Sequence, residues 1–450
     1  MSDSNALGRE QWGSRLGFIL AAAGSAIGLG NIWRFPYLVG KNGGAAFVLI
    51  YLLITVFIGL PVMMAEFAIG RAAQKSPVVA FKAIGATPCW SVIGWMGTLA
   101  GGFLTLSFYN VVGGWTIKYM IESLGGLLPL AADGKSGDFF NAFVSNPYGV
   151  VFFQVTFMAL TMLVVLGGIG KGIERACKVV MPALFVILII LIFRSLTLPG
   201  AEVGVSFYLK PDLSKLTGET FLDALGQSFF SLSLGLGIMI TYGSYLGKEE
   251  HLPSSAVWTA SLDTLIALLA GLAIFPAVFA MGLEPGQGAG LSFVTLPAVF
   301  AKMPAGGKFF SFLFFLLLFF AAITSSMSLM EVSTAFGIEK FKWERKKAVC
   351  VMGTIIVLLG VPSALSLGGA PTIAGKAFFD AVEYLCNNVF LPLGSFLACL
   401  FVGWVWLPGA REELTNQGKL PFPWLNAWVW CIRVVAPAAI AYIFVTGLKW

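Results

Sequence analysis

Charged side chains are scarce in this sequence: they make up 11% of its 450 residues, whereas hydrophobic residues make up 58%. Soluble domains carry about 25% charged residues, so this composition excludes a soluble globular protein and indicates a polytopic membrane protein. A cleavable signal is also missing, because Met1–Glu10 is mostly polar and the first apolar run is too long and lacks a small-residue cleavage pattern. We therefore expect that run to remain as a membrane span.

Residues for metal binding and catalysis are also sparse. The only histidine, His251, lies in a charged loop. The cysteines show no CxxC spacing, which favours packing roles over disulfides or metal ligation. They are Cys89, Cys177, Cys350, Cys386, Cys399 and Cys431. Gly134-Lys135-Ser136 resembles the end of a phosphate-binding loop, but Pro129 occupies the required first glycine position. We predict that the chain is not an enzyme.

Apolar runs of about 20 residues predict an all-α membrane protein with eleven spans, in a single domain of residues 1–450. The spans cover roughly residues 16–38, 44–70, 91–123, 149–167, 175–196, 222–246, 257–282, 308–336, 346–364, 377–405 and 425–447. Lys and Arg cluster in alternate loops, which the positive-inside rule places in the cytoplasm. The amino terminus is then cytoplasmic, and the carboxyl terminus lies outside the cell (plasma) membrane.

A glycine-rich stretch from Gly24 to Pro36 interrupts the first apolar run. Its three glycines, together with Asn31 and Arg34, are poor material for a helix that must satisfy its own backbone in lipid. We interpret the stretch as a helix broken at membrane depth, with freed carbonyls facing a cation and free amides facing an anion. A glycine stripe for close helix packing is the alternative.

The sixth predicted span repeats this pattern, because Ser231–Gly237 contains a second Gly-Leu-Gly. An offset of five spans makes the two interrupted segments run in opposite senses. This predicts two inverted repeats, over about residues 16–196 and 222–405, followed by an extra span at about 425–447. Paired interrupted spans of this kind are typical of a transporter binding site. Chance recurrence in a glycine-rich chain is the alternative.

Asp263 is a single carboxylate inside the seventh predicted span. A buried carboxylate must be protonated or paired, so we interpret it as a cation ligand. Alkali cations favour oxygen ligands, which Asn31, Ser231 and carbonyls of the broken helices would supply. A neutral Asp263 bonded to a neighbouring helix is the alternative.

Further candidate residues lie inside predicted spans. Ala321–Ser326, in the eighth span, provides a second oxygen cluster that would face carbonyls of Gly24 and Ile27. Hydroxyls bonded back to their own helix are the alternative. Tyr109, in the third span, needs a partner for its hydroxyl, and either a substrate carboxylate or a backbone carbonyl would serve. Phe230, in the sixth span, is either a lid or a core residue.

Charges near the span ends predict two gates. Arg34 and Glu383 fall toward the outer ends of the first and tenth spans, where pairing across an extracellular vestibule would relieve the cost of each. A cytoplasmic gate would consist of Arg9, Trp12, Ser244, Tyr245 and Glu339, with solvated loop charges as the alternative. Gly172 and Pro182 bracket a segment that we expect to unwind and open a water path to a second cation site.

These motifs resemble the neurotransmitter:sodium symporter family, which shares the LeuT fold. The resemblance rests on Gly24–Pro36, Asn42-Gly43-Gly44, Gln227–Gly235 and Ala321–Ser326, and it covers about residues 9–405. It implies sodium-coupled uptake by alternating access, in a LeuT-like 5+5 inverted repeat whose first and sixth of eleven spans are unwound at mid-membrane.

The resemblance also implies two sodium sites beside one substrate site. The first sodium would be held, together with the substrate carboxylate, by Ala26, Asn31, Ser231 and Asp263. The second would be held by Gly24, Ile27, Ala321, Thr324 and Ser325. The substrate carboxylate would meet the Leu29 and Gly30 amides and the Tyr109 hydroxyl, and its amine would meet carbonyls of Ala26, Phe230 and Ser231. The other substrate-binding residues would be Thr105, Ser233, Leu236, Ser325 and Leu329.

Departures from the family pattern refine this expectation. The family often has Asn where Asp263 stands, so a fixed carboxylate suggests independence from chloride. Gly28 stands where monoamine carriers have Asp, which disfavours an amine without a carboxylate, and the missing twelfth span puts family dimer contacts in doubt. A roomy apolar pocket at Gly28, Leu236 and Leu329 suggests bulky neutral L-amino acids such as tryptophan, leucine, phenylalanine, tyrosine, isoleucine, valine and methionine.

Two other functions stay open at this point. A proton-coupled carrier would use Asp263 as its proton site, and an amino-acid sensor or a channel would bind without coupled uptake. For the sodium-coupled symporter, the expected partners are a small-molecule substrate, sodium ions and the lipid bilayer, with no nucleic acid. A monomer would suffice for the function.

Overall fold

The computed structural model describes residues 10–284, 290–303 and 305–447, and most of them are helical. The chain begins with a bent pair of helices, α1 (Arg15–Ala26) and α2 (Gly30–Lys41), which meet at 51°. The α-helical bonding of α1 ends where the Ile27 amide donates to Ala23 O at 2.6 Å. The Asn31 side chain then accepts the Gly28 amide at 3.2 Å, which satisfies one of the amides freed by the break.

The other helices follow in chain order. They are α3 (Ala45–Ala73), α4 (Pro77–Ala83), α5 (Pro88–Leu124), α6 (Leu127–Ala132), α7 (Ser136–Val144), α8 (Pro147–Leu166), α9 (Ile169–Leu196), α10 (Ala201–Leu209), α11 (Gly218–Ser231), α12 (Ile238–Gly243), α13 (Leu252–Ala280), α14 (Leu291–Lys302), α15 (Gly307–Phe341), α16 (Arg345–Ser366), α17 (Phe378–Val405), α18 (Leu407–Leu414) and α19 (Leu425–Thr446). Several contain π-helical turns. Strands β1 (Thr372–Ile373) and β2 (Lys376–Ala377) form a short antiparallel hairpin.

A second interruption separates α11 from α12 over residues 232–237. Ser233, Gly235 and Gly237 adopt positive φ angles of 55°, 73° and 71°. Such angles cost little at glycine but are uncommon for a serine, so the backbone here is specifically held out of the helix. The amide of Gly235 donates to Glu66 Oε1 of α3 at 2.7 Å, which gives one freed backbone group a buried partner.

Within the described residues, nine helices are long and apolar enough to cross a membrane, and the bent α1–α2 pair makes ten. This confirms the prediction of a polytopic all-α membrane protein. The one predicted span outside this set is the sixth, at about residues 222–246, which corresponds to α11 and α12, of 14 and 6 residues, neither of which is long enough alone. The count of eleven and the two inverted repeats therefore stay predictions.

Helix α15 lies at the centre of the bundle, because 72% of its most apolar 18-residue stretch is buried, whereas the corresponding share is 33% in α8 and in α19. It packs against α1, α5 and α9, and the break of α1 faces its middle. The sequence predicts that the eighth span ends at residue 336, whereas α15 continues to Phe341. The central position of α15 places its serines and Thr324 beside the interrupted helices.

Candidate functional site

Three polar side chains from different helices meet beside the break of α1. Asn31 Nδ2 donates to Asp263 Oδ1 at 2.8 Å and to the Asp263 carbonyl at 3.0 Å. The Ser231 hydroxyl, at the last residue of α11, donates to Asp263 Oδ2 at 2.8 Å. All three residues are at most 1% exposed. The structure thus brings together Asn31, Ser231 and Asp263, three of the four residues predicted for the first sodium.

Ala26, the fourth predicted member, is the last residue of α1. The last carbonyls of a helix have no partner within it and carry its negative dipole end. Ala26 lines the cavity described below, so its carbonyl lies at the same break as Asn31. The cluster combines one carboxylate, one amide, one hydroxyl and a helix carboxyl terminus, a set of oxygen donors suited to a hard cation.

A second set of oxygens lies on the α15 side of the break. The Thr324 hydroxyl lies 3.4 Å from Ile27 O and 3.0 Å from Ala321 O. A methyl group built on Gly24 would lie 3.4 Å from Thr324 Cβ, so Gly24 faces the same point. Four of the five residues predicted for the second sodium, namely Gly24, Ile27, Ala321 and Thr324, are therefore neighbours.

Ser325, the fifth of these residues, points elsewhere. Its hydroxyl donates to the Ser25 carbonyl at 2.9 Å, and Ser233 donates to that same carbonyl at 3.2 Å. The end of α1 is thereby tied to α15 and to the interrupted segment after α11 through one backbone oxygen. Ser325 also lines the central cavity, which agrees with its second predicted role beside the substrate.

A central cavity of about 30 Å³ lies between the two interrupted helices. It is lined by predicted substrate residues, and Leu29 lies at its edge, where its amide donates to the Tyr109 hydroxyl at 3.2 Å. The lining residues are Ser25, Ala26, Gly28, Gly30, Thr105, Tyr109, Phe230, Ser233, Leu236, Ile238, Ser325 and Leu329. Every predicted substrate residue except Leu29 and Ser231 is in this set.

An outer cavity of about 380 Å³ shares Tyr109 and Phe230 with the central one. The Phe230 ring lies 2.9 Å from a methyl group built on Gly30, and the Arg34 guanidinium lies 5.0 Å above the same ring. Phe230 therefore forms the wall between the two cavities. This position favours the interpretation of Phe230 as a lid over that of a core residue, because there is open space on both sides of it.

Arg34 and Glu383, the predicted extracellular gate, both line the outer cavity. Among the ion pairs of the described residues, which require 4.0 Å or less, none joins these two side chains. Arg34 Nη1 is buried and has no hydrogen-bond partner in that part of the chain. In the described part of the chain, the two charges therefore line the same cavity without an ion pair between them.

The opposite end of the site is closed by Trp12. Its indole N–H donates to Tyr242 O at 3.1 Å, and its backbone amide donates to Tyr245 O at 3.3 Å. The Trp12 ring also lies edge-on to Tyr242, with ring centroids 5.1 Å apart. These contacts place the segment before α1 against the end of α12.

Two further predicted residues of the cytoplasmic gate, Ser244 and Glu339, are hydrogen-bonded. Ser244 is buried and donates its hydroxyl to Thr241 O at 2.5 Å. Glu339 accepts both the amide and the hydroxyl of Ser76, at 2.9 and 2.8 Å. Arg9 lies outside the described residues.

The predicted hinge at Gly172 and Pro182 is helical in this conformation. Gly172 lies in the first, π-helical turn of α9, and Pro182 lies inside the same helix. Met181 and Cys177, between them, lie within 3.2 and 3.5 Å of a methyl group built on Gly24. The segment therefore covers the second set of oxygens, and its unwinding stays a prediction.

Sequence reasoning missed several buried carboxylates, among them Glu66 and Glu331. Glu66, in α3, holds the Gly235 amide in the second interruption. Glu331, in α15, accepts the Tyr245 hydroxyl at 2.6 Å and pairs with Arg345 of α16. Both carboxylates stand inside apolar runs, which is the same signal in the sequence that marks Asp263.

Gln227 was missed as well. Its side-chain amide donates to Gly30 O at 2.8 Å, which joins α11 to the start of α2. Gln227 lies within Gln227–Gly235, one of the motifs that carry the family resemblance, but that resemblance assigns no role to it.

Known proteins similar to this chain cover nearly all of it. The family model described as the sodium:neurotransmitter symporter family matches residues 9–139 and 144–449. The chain belongs to the sodium:neurotransmitter symporter family. Membership confirms the resemblance stated above and makes the protein a sodium-dependent membrane transporter and not an enzyme.

Individual relatives agree with this family. The crystal structure of MhsT in complex with L-phenylalanine superimposes with a TM-score of 0.89 at 47% identity, covering 98% of this chain and 100% of that one. The sodium-dependent transporter YhdH of Bacillus subtilis is 43% identical over 96% of each chain. A sodium-dependent transporter of Haemophilus influenzae is 40% identical over 98% of each chain. The likeness to MhsT confirms the predicted LeuT-like architecture.

Proposed function

We propose that this transporter imports bulky neutral L-amino acids together with sodium, by alternating access and without chloride. The observation that carries the proposal is the buried Asp263 carboxylate, held by Asn31 of α2 and Ser231 of α11. One fixed negative charge at the meeting point of two interrupted helices favours a cation there, since an isolated buried carboxylate is costly.

The central cavity supports a zwitterionic substrate. The amino-terminal end of α2 presents amides at Leu29 and Gly30, which favour a carboxylate, together with the Tyr109 hydroxyl. The carbonyl end of α1 at Ala26 favours an ammonium group. An α-amino acid, whose ammonium and carboxylate groups are attached to the same carbon atom, matches this arrangement. MhsT, which is similar over its whole length, forms a complex with L-phenylalanine.

The walls of the central cavity support an apolar side chain. Leu236, Ile238 and Leu329 line it, and the missing side chain of Gly28 lets Tyr109 and Ser325 pack against the backbone at its edge. A bulky side chain would extend toward Phe230, which separates this cavity from the outer one. We therefore propose aromatic and branched aliphatic amino acids as substrates.

The second set of oxygens supports a second sodium. Carbonyls of Gly24, Ile27 and Ala321 and the Thr324 hydroxyl provide neutral oxygens, and a rotation of Ser325 would add a fifth. Asp263 is the single carboxylate in the two proposed sets of sodium ligands, so the substrate carboxylate would supply the balancing negative charge. This makes sodium and substrate binding mutually favourable.

The lack of an ion pair between Arg34 and Glu383 in the described residues and the contacts of Trp12 at the opposite end support an outward-facing conformation for alternating access. We propose that α9 unwinds between Gly172 and Pro182 to release the second sodium on the Trp12 side, which is the cytoplasmic side. In the proposed orientation, the amino terminus and Trp12 face the cytoplasm of a cell whose plasma membrane holds the transporter, because the basic loops lie on that side.

Uptake of labelled L-phenylalanine into proteoliposomes tests this function. We expect accumulation when sodium is higher outside, and none when a proton gradient of equal size replaces it. Uptake driven by protons alone would favour the proton-coupled alternative. Binding of the amino acid without accumulation under either gradient would favour a sensor.

A further inference from the structure

Arg433 carries a positive charge inside the last spanning helix, at a position that faces away from the transport site. It lies eight residues after Leu425, the first residue of α19, which is about 12 Å along the helix axis. The residue is half-buried, and its neighbours Val434 and Val435 are exposed. An arginine at such a position is costly unless a partner or an interface receives its charge.

The structure holds the Arg433 side chain in one place with two contacts to α17. Nε donates to Gly403 O at 2.7 Å, and the guanidinium lies 5.1 Å over the Trp404 ring. The Trp404 indole N–H in turn donates to Arg433 O at 3.3 Å. Gly403 permits this approach, because a methyl group built on it would lie 3.1 Å from Arg433 Cγ.

These contacts fix the depth of the charge. Trp404 is one residue before Val405, where α17 ends, so the guanidinium lies level with the end of this apolar helix, where we infer the membrane interface. Side chains on a helix lean toward its amino terminus, and the amino terminus of α19 is at this same interface. Arg433 therefore reaches out of the apolar layer while its stem stays inside, as long basic side chains do near helix ends.

No protein carboxylate neutralises this charge among the ion pairs of the described residues. Nε and the ring face are occupied by α17, which leaves the two Nη groups for another partner. A guanidinium presents two parallel N–H groups that match the oxygens of a phosphate. Trp404 and Trp430, 62% and 69% exposed, stand beside it as interfacial aromatic residues do at the headgroup level.

We propose that Arg433, Trp404 and Gly403 form a binding site for the phosphate of an acidic phospholipid, in the leaflet next to the loop of residues 406–424. That segment contains Glu412 and Glu413 as well as Arg411 and Lys419, so its own charges balance, and the leaflet next to it is the cytoplasmic one under the proposed orientation. A zwitterionic lipid would bring its ammonium next to Arg433, which disfavours it relative to a headgroup with net negative charge.

Native mass spectrometry of the purified transporter tests this site, with phosphatidylglycerol and phosphatidylcholine of identical acyl chains as probes. We expect wild-type protein to retain phosphatidylglycerol in preference to phosphatidylcholine. Arg433→Gln should lower phosphatidylglycerol retention about fivefold, since one basic residue near a membrane surface contributes about that factor in affinity. Lys82→Gln, which removes an exposed charge at the end of α4, is the matched control and should retain the wild-type preference.

Trp404→Leu provides a second variant in case Arg433→Gln does not fold, because it keeps the charge but removes the ring beneath it. We expect weaker phosphatidylglycerol retention from this variant as well. Equal retention of both lipids by wild-type protein, or unchanged retention in both variants, would overturn the proposal. Displacement of the lipid by millimolar inorganic phosphate would show a free-anion site, and loss of a dimer in Arg433→Gln with lipid retention unchanged would show contact with a second copy of the chain. Either result also overturns it.

Discussion

Asn31 donates its side-chain amide to the Asp263 carboxylate at 2.8 Å, although 232 positions separate the two residues in sequence. The bond joins the start of α2 to the middle of α13, and both residues are fully buried. Asn31 also accepts the Gly28 amide, so one side chain links the helix break to the carboxylate. The position of the break and the position of the charge are therefore set together.

Replacing Asp263 tests the first sodium site. We expect Asp263→Ala to abolish sodium-dependent binding of amino acid, because the only carboxylate in the cluster is lost, and with it the acceptor of Ser231 and the side-chain acceptor of Asn31. Equilibrium binding of labelled phenylalanine against sodium concentration measures this. Asp212→Ala, in an exposed loop, is the control. Unchanged sodium affinity in Asp263→Ala would show that Asp263 does not bind the first sodium.

The same carboxylate predicts that chloride is not needed. Uptake by wild-type protein should be equal in chloride and in gluconate, since the fixed charge balances the cation without a bound anion. Initial rates in proteoliposomes at constant sodium measure this. A requirement for external chloride would contradict the chloride-independent part of the proposed function while leaving sodium coupling intact.

Adding a methyl group at Gly28 should narrow the substrate site. A Cβ at this position would lie 2.9 Å from the Tyr109 hydroxyl and closer still to Ser325 Oγ. Overpacking of this kind costs about 1–3 kcal/mol, so we expect Gly28→Ala to weaken phenylalanine binding about tenfold. Binding competition at fixed sodium measures the effect, with Gly137→Ala as control because that site has open space around it. Equal affinities would show that the substrate lies elsewhere.

Loosening the Trp12 contact should open the closed side of the site. Trp12→Phe keeps an aromatic ring but removes the N–H that donates to Tyr242 O. We expect faster labelling of Cys177, which is 1% exposed and lies next to Gly24, by a hydrophilic thiol reagent. Mass spectrometry of the Cys177 peptide measures this rate. Trp258→Phe, on an exposed position of α13, should label as slowly as wild type. Equal rates of Cys177 labelling in the two variants would show that Trp12 does not close this side of the site.

Removing Pro182 should slow the release of sodium into the cytoplasm. A proline inside a helix costs about 3 kcal/mol, so Pro182→Ala favours the intact α9 and should slow inward sodium release on the order of tenfold or more. Substrate efflux after rapid sodium dilution measures release, while sodium-dependent binding should stay at the wild-type level. Pro362→Ala, inside α16, is the control. Normal efflux from Pro182→Ala would contradict the unwinding model.

Local composition was enough to locate both interruptions and the charged residue between them. Gly28, Gly30 and Gly235 are poor helix formers in lipid, and Asp263 is a rare charge in an apolar run, so each is visible without knowledge of its neighbours. The family motifs then assigned oxygens around them. The structure places most of these residues together, which is why their proposed roles can be tested one substitution at a time.

Sequence reasoning did not predict the hydrogen bonds and ion pairs between residues that lie far apart in the chain. The partner of Glu66 is the Gly235 amide, 169 positions away, and no local pattern encodes such a bond. The Ser325 hydroxyl turns to Ser25 O because that carbonyl is freed by the break, which a motif alone does not show. Pairing of Arg34 with Glu383 depends on the conformation, which charge and position in sequence do not determine.

The shared carbonyl of Ser25 has a consequence for how the transporter switches. Two hydroxyls, one from Ser233 and one from Ser325, converge on this single oxygen at the end of α1. When α1 tilts, both bonds must break at once, because neither serine can follow the oxygen without leaving its own helix or turn. The amino-terminal half of the first span should therefore move between two discrete positions, and intermediate tilts should be sparsely populated.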